Sequence, residues 1–359
     1  MRISPRRLIS KSVFWGGLIM TKTISRLDYI DKTKALACVL VVLGHFIMSM
    51  DASNILPYNS FTEWFKETIY TFHVQLFFLC SGLLYVFSIK QGNHYKYGPF
   101  VFKKLIALGI PYLTFTTITV LMKMLAGDSV NTETGGLLYT LFIEPTAPYW
   151  YLYVLFFLFL IIPPFQSKKA VSIVLGVSLI LKIIMITGLL SEMELPYFVT
   201  GIMNYSIWFV LGMTLVTFEY KADKKFLICG AAGLIVFLAL SAVWYHFSLT
   251  DNKAFAFILG VIAVLSIFTL FSNSNIKTDI VTKFLIKYNL PIYLMHTIFA
   301  AGVRIVLVKL GITAWYIHIP AGLIATFIGP AIAAFIMEKT RFLEIFLYPT
   351  KLIKISRSK

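Results

Sequence analysis

The sequence predicts an all-α integral membrane protein, a bundle of about ten transmembrane helices with the N- and C-termini cytoplasmic. Three observations predict it. The chain of 359 residues is 58% hydrophobic and only 13% charged, whereas soluble domains carry about 25% charged residues, and its mean hydropathy is +0.82. Apolar runs recur from Leu36 to Met337 with no gap wide enough for a soluble domain. The basic residues are shared unequally between alternate connectors, as in a multi-span protein. The alternating ten-residue segments of a β-barrel do not occur.

Runs long enough to cross a bilayer, roughly 17–25 residues, fall at about 34–50, 69–89, 105–122, 146–165, 170–190, 197–218, 226–246, 254–272, 290–308 and 316–337. Turn residues punctuate the connectors, as in "KQGNHYKYG" after the second run and "IIPPFQSKK" after the fourth. With the N-terminus inside, 26 of the 32 Lys and Arg lie on the cytoplasmic side, four lie outside and two lie within spans. One missed or added helix would scramble that bias, so it supports both the count and the orientation. The formal net charge of +16 is therefore read as topology, a contact with membrane lipid and not with nucleic acid.

Three parts are expected: a basic cytoplasmic arm at 1–25, a membrane domain at 26–340 and a basic cytoplasmic tail at 341–359. The arm, "MRISPRRLISKSVFWGGLIM", has an apolar patch too short to span and lacks the apolar region and cleavage site of an export signal. A translation start at Met20 is the plainer expectation, and an arm lying on anionic lipid is the alternative. Cys38, Cys80 and Cys229 sit inside apolar runs without metal-ligand spacing, so buried thiols are expected and no disulfide framework.

The chemistry should lie in the polar side chains that the spans retain, since each charge at mid-membrane costs about 2.5–3.5 kcal/mol. On the first span, Lys34 and His45 are eleven residues apart, close to three turns, so they share a face about 16 Å apart along the axis. Asp31, Cys38 and His45 follow a seven-residue spacing on nearly the same stripe. On the second span, His73 and Gln75 lie near the outer end, and Ser81 and Gly82 lie near mid-membrane. His73 could approach His45 as an acid–base pair. A metal pair is the weaker alternative, because no His or carboxylate stands at i+3 or i+4 to complete a ligand set.

Lys103 and Lys104, at the cytoplasmic start of the third span, could meet phosphates or could simply anchor the helix. Trp150 and Tyr151 open the fourth span, where an aromatic belt is the default and ligand stacking the alternative. His296 stands two turns into the ninth span and shares a face with Arg304, eight residues later.

Five segments in order, "RLDYIDKTKALACVLVVLGH", "FHVQLFFLCSGLLY", "PYWYLYVLFF", "WFVLGM" and "LPIYLMH", resemble the acyltransferase family 3 membrane proteins. The resemblance covers about Arg26 to His296. It implies a ten-span enzyme of the bacterial inner membrane that transfers acyl groups, commonly acetyl from acetyl-CoA, onto sugars of surface or lipid-linked glycans. The family's first-span motif, a basic residue, ten others and a His, is met by Lys34 and His45. Gln75 replaces the family's usual proline, and lysines stand at 34, 103 and 104 where arginine is common. A lysine holds phosphate as a point charge, without a bidentate fork.

The resemblance implies His45 as general base on the sugar hydroxyl, with Asp31 or Lys34 setting the base or fixing the coenzyme A end. Acyl-CoA phosphates would lie near Lys34, Lys103 and Lys104, with Ser81 along the donor's path. His73, Gln75, Trp150, Tyr151 and His296 would line the acceptor. No metal cofactor is expected. The rival expectation is a transporter or flippase whose path runs over His45, His73, Lys34 and Arg304. Against it, polar residues cluster on the first two spans, and no two matching halves carry broken helices. A non-catalytic interaction protein would leave the intramembrane histidines unexplained.

Overall fold

The computed structural model describes residues 28–91, 96–127, 135–220, 223–274 and 277–353. The N-terminal arm and the Met20 start lie outside the described residues. Among them nine segments are long and apolar enough to cross a membrane. The first is helix α1 (Asp28–Asp51), and the second combines α2 (Ser60–Tyr70) with α3 (His73–Lys90). The third combines α4 (Tyr97–Lys104), a π-helical turn at Leu105–Gly109 and α5 (Ile110–Ala126).

After the short α6 (Leu137–Phe142) and α7 (Trp150–Ile161) come the spans α8 (Lys168–Thr187), α9 (Tyr197–Thr217), α10 (Lys224–His246) and α11 (Lys253–Asn273). A short α12 (Ile280–Lys287) precedes the last two spans, α13 (Asn289–Lys309) and α14 (Trp315–Lys339). The chain then forms α15 (Arg341–Leu347) and α16 (Pro349–Leu352).

The fourth expected span is the exception. Helix α7 has 12 residues, about 18 Å at the α-helical rise, against roughly 30 Å of hydrocarbon. Pro148 precedes it and Pro163–Pro164 follow it, and prolines stop a helix at both ends. The second span is also longer than expected, because "NSFTEWFKETIY" folds as α2 where a connector was read. Asn59 caps that helix, its side chain accepting from the N–H of Phe61 at 2.8 Å and of Thr62 at 3.3 Å. The expected basic tail is docked at its start: α15 packs on α5, α16 packs on the π-helical turn, and Leu347 is buried.

The tightest crossing is between α3 and α9. A Cβ on Gly82 would overlap the Phe209 carbonyl, and one on Gly212 would overlap the Leu79 carbonyl. Two glycines therefore let the backbones touch, the small-residue packing that replaces hydrophobic force inside a bilayer. Around this crossing lie α1, α7, α11 and α13, whose inward residues form one apolar core. Helices α8 and α10 pack outside it, on α9 and α11 respectively. Cys38 and Cys80 are buried, but Cys229 on α10 is exposed, which corrects the expectation of three buried thiols. Helix α10 is apolar on every side, so its residue pattern does not mark which side meets the core.

Candidate active site

Helices α1 and α13 run side by side in the same direction, in register. Asn289 Nδ2 donates to the Lys34 carbonyl at 3.1 Å, and the Cys38 thiol donates to the Asn289 carbonyl at 3.5 Å. Further along, the His45 and His296 rings lie 5.4 Å apart between centroids. Beyond them Arg304 donates to the Ser53 hydroxyl and, at 3.4 Å, to the Ser49 carbonyl. One seam thus carries Lys34, Asn289, Cys38, His45, His296 and Arg304. Arg304 pins the end of α1, which is structural work, and Lys66 assists by pairing with Asp51 at 3.2 Å and Glu63 at 2.6 Å.

The Lys34 end of the seam is cationic. Lys34 is only 8% exposed, yet it forms no hydrogen bond or ion pair among the described residues. It lies within electrostatic reach of Asp31 and Lys104. Asp31 is partly buried on the same face and makes no ion pair within 4.0 Å among the described residues. Lys104 reaches inward over the Phe159 ring at 4.0 Å and the Phe100 ring at 5.4 Å. The π-helical turn directly after it offsets the helical faces on its two sides, a feature common at functional sites. Lys103 is partly buried on the same turn of α4.

The other end is lined by rings and an amide. His296 is 1% exposed, and its Nδ1 lies 3.0 Å from the Ile292 carbonyl and 2.9 Å from the Tyr293 carbonyl. Carbonyls only accept, so Nδ1 carries the proton and Nε2 offers a lone pair. That Nε2 is buried and has no partner among the described residues. His73 repeats the arrangement, its Nδ1 lying 2.6 Å from the Ile69 carbonyl. Tyr70, at the end of α2, stands between the histidines, 6.4 Å from His45 and 4.7 Å from His73. His45 therefore faces His296 and Tyr70, and His73 forms the next ring out. The Gln75 Oε1 atom is buried without a partner among the described residues.

Helix α7 supplies the wall between the two ends. Its aromatic residues are packed inward and do not form a belt: Tyr149 is 0% and Tyr151 is 2% exposed. The Tyr149 hydroxyl donates to the Leu294 carbonyl at 2.9 Å and takes a hydrogen bond from Thr119 at 2.8 Å. Tyr293 donates to the Pro148 carbonyl. Tyr151 and Ser81 share a hydrogen bond of 3.0 Å. Trp150 is partly buried, 5.0 Å from the Tyr205 ring and 6.4 Å from the Phe78 ring. Among the described residues no group of three or more His, Cys, Asp or Glu could hold a metal ion.

A cationic mouth, a buried seam and a cluster of lone-pair nitrogens suit group transfer, and comparison decides which kind. A family model for the acyltransferase domain of acyltransferase family 3 matches residues 27–335. The chain belongs to that family. No match was found among curated proteins or among solved structures. The protein is a membrane acyltransferase, as expected, and the rival transporter reading gives way to it.

Of the acyltransferase's expected site residues, the structure brings Asp31, Lys34 and Lys104 together at one end and His45, His73 and His296 together at the other. Ser81 and Tyr151 touch each other between the ends, and Trp150 stands against α9 through Tyr205. Sequence reasoning missed Asn289, Tyr70 and Tyr293. The first and last stand four residues apart on one face of α13, three residues before His296 in the case of Tyr293, so a helical projection of "NLPIYLMH" carried the signal. Tyr70 lay at the edge of the run read at 69–89, where an interfacial tyrosine is the default.

Proposed function

We propose that this acyltransferase moves an acetyl group from acetyl-CoA to a hydroxyl of a surface or lipid-linked carbohydrate, with His45 as the general base. The observation that carries the reading is the two-ended α1–α13 seam, with the buried Lys34 at one end and the partnerless His296 Nε2 at the other. Coenzyme A is an anion with a long, thin arm, and the Lys34–Lys104 end supplies charge for its phosphates with Lys103 beside them. His45 stands eleven residues further along α1, about 16 Å by the helical rise, a span suited to pantetheine.

At the far end the acceptor hydroxyl would lie against His45, within a pocket formed by His73, Gln75, Trp150, Tyr151 and His296. His45 takes the hydroxyl proton as the oxygen attacks the thioester carbonyl. The C–S bond breaks, the sulfur leaves as thiolate, and the proton returns to give free coenzyme A and the ester. Asp31 balances Lys34 at the mouth. Ser81, bonded to Tyr151, borders the donor's path. The excess of Lys and Arg in alternate connectors supports a bacterial inner-membrane protein whose Lys34 end faces the cytoplasm, where acyl-CoA is made.

The test is release of free thiol from acetyl-CoA by the purified protein in the presence of candidate glycans. His45→Ala should lower turnover by roughly 10²–10⁴-fold while the variant elutes and melts like the parent. Full turnover in that variant would overturn the assignment of the base.

A further inference from the structure

Asn289 is a buried polar residue for which the chemistry above has no use. It is 4% exposed, and its two side-chain atoms are unequally satisfied. Nδ2 donates to the Lys34 carbonyl at 3.1 Å, which fixes the orientation of the amide. Oδ1, left as an acceptor, is buried and has no partner among the described residues. Leaving such a group unpaired is costly, so the natural occupant is a ligand that brings a donor. Lys34 beside it is likewise without a hydrogen bond among the described residues. The two stand at the point where a chain entering from the cationic end would pass between α1 and α13.

We propose that Asn289 Oδ1 accepts the N–H of the amide that joins the pantoyl and β-alanine units of the donor's pantetheine arm. The inference rests on the reading of acyl-CoA as donor, and it deepens that reading by assigning a binding residue. The spacing supports it. Asn289 and His296 are seven residues apart on one helix, about 10.5 Å along the axis. In extended pantetheine that far amide nitrogen lies roughly 10 Å from the thioester carbon by ordinary bond lengths, and the near amide of cysteamine lies about half as far. With the thioester beside His45 and His296, the far amide reaches Asn289 and the near one does not. Oδ1 is buried in this structure, so the arm enters as α1 and α13 part locally.

Three thioesters separate the possibilities: acetyl-CoA, S-acetyl-pantetheine and S-acetyl-N-acetylcysteamine, which lacks the far amide. Asn289→Ala should raise KM for the first two by roughly three- to tenfold, the range of one neutral hydrogen bond. It should leave KM for S-acetyl-N-acetylcysteamine unchanged. An equal loss on all three thioesters would overturn the proposal and mark Asn289 as a packing residue. Because its Nδ2 bond could be needed for folding, the same comparison is run on the parent protein. There S-acetyl-pantetheine with its far amide replaced by an ester should bind three- to tenfold more weakly than the amide, and equal binding overturns the proposal. Failure of the parent to cleave any of these thioesters would instead remove the donor reading itself.

Discussion

The α1–α13 seam and the outer helices α8 and α10 are made of similarly apolar sequence and do opposite work. In the seam, apolar residues such as Ala37 and Val42, both 0% exposed, enclose polar groups that lack partners. On the outer helices only a few apolar residues, Val171, Phe237 and Trp244 among them, reach the core, and many face away from the protein, with Ile228 74% and Ile235 68% exposed. A bilayer gives no hydrophobic reward for packing helix on helix, so greasiness alone does not tell the two regions apart. What separates them is the polar complement. The seam holds unpaired acceptors within a tight enclosure, while the half-buried Lys182 on α8 donates to Asn204 at 3.0 Å. Two unsatisfied acceptors two turns apart on α13, Asn289 Oδ1 and His296 Nε2, mark the seam, whereas α8 and α10 leave only the Trp244 Nε1 of α10 buried without a partner among the described residues.

That contrast can be broken from either side. The largest effect should come from His296→Leu, which removes the acceptor nitrogen and keeps the bulk. Turnover with acetyl-CoA should fall by on the order of 10²-fold. Thermal stability should hold or rise, since replacing an unsatisfied buried polar group by an apolar one is nearly neutral or stabilising. A parallel loss of both would place His296 among packing residues. The converse experiment is Ile235→Lys on α10, where a charge on the lipid side costs about 2.5–3.5 kcal/mol. The yield of membrane-inserted protein should drop, while turnover per folded molecule stays at the parental value. A selective loss of turnover there would mean that α10 takes part in the reaction.

The gentlest probe is chemical. A membrane-permeant maleimide should label Cys229 in the folded protein without changing turnover, and Cys38 and Cys80 should react only after unfolding. Mass spectrometry of the labelled peptides reads this directly, and early labelling of Cys38 would show that the seam opens unaided.

Much of the architecture was legible in the residues, for identifiable reasons. The first-span motif was readable because Lys34 and His45 are polar exceptions within one apolar run, and helical spacing alone puts them on one face. Helix α2 was not, because "NSFTEWFKETIY" is too polar to read as part of a span and looks like a connector until Asn59 is recognised as the cap of an amphipathic helix with Phe61, Trp64, Phe65 and Ile69 on one side. The fourth span was read too long: its apolar residues suggested a helix over about 146–165, while the prolines at 148, 163 and 164 flank a helix of Trp150–Ile161. The partnership of His45 with His296 was hidden for a different reason. It joins residues about 250 positions apart, and no local pattern reports which two helices will be neighbours. Direction of exposure on α10 was equally hidden, since every face of that helix is apolar.

The parallel run of α1 and α13 has a consequence for how the enzyme comes into being. Adjacent parallel helices cannot be joined by a tight turn, and here the halves of the working seam come from opposite ends of the chain. The ribosome delivers Lys34 and His45 long before Asn289 and His296. Throughout that interval the nascent protein holds a histidine with no facing ring and a lysine with no neighbouring amide. The seam therefore exists only once the chain has been made through α13, and a product that stops short of that helix lacks it however well its earlier helices have inserted.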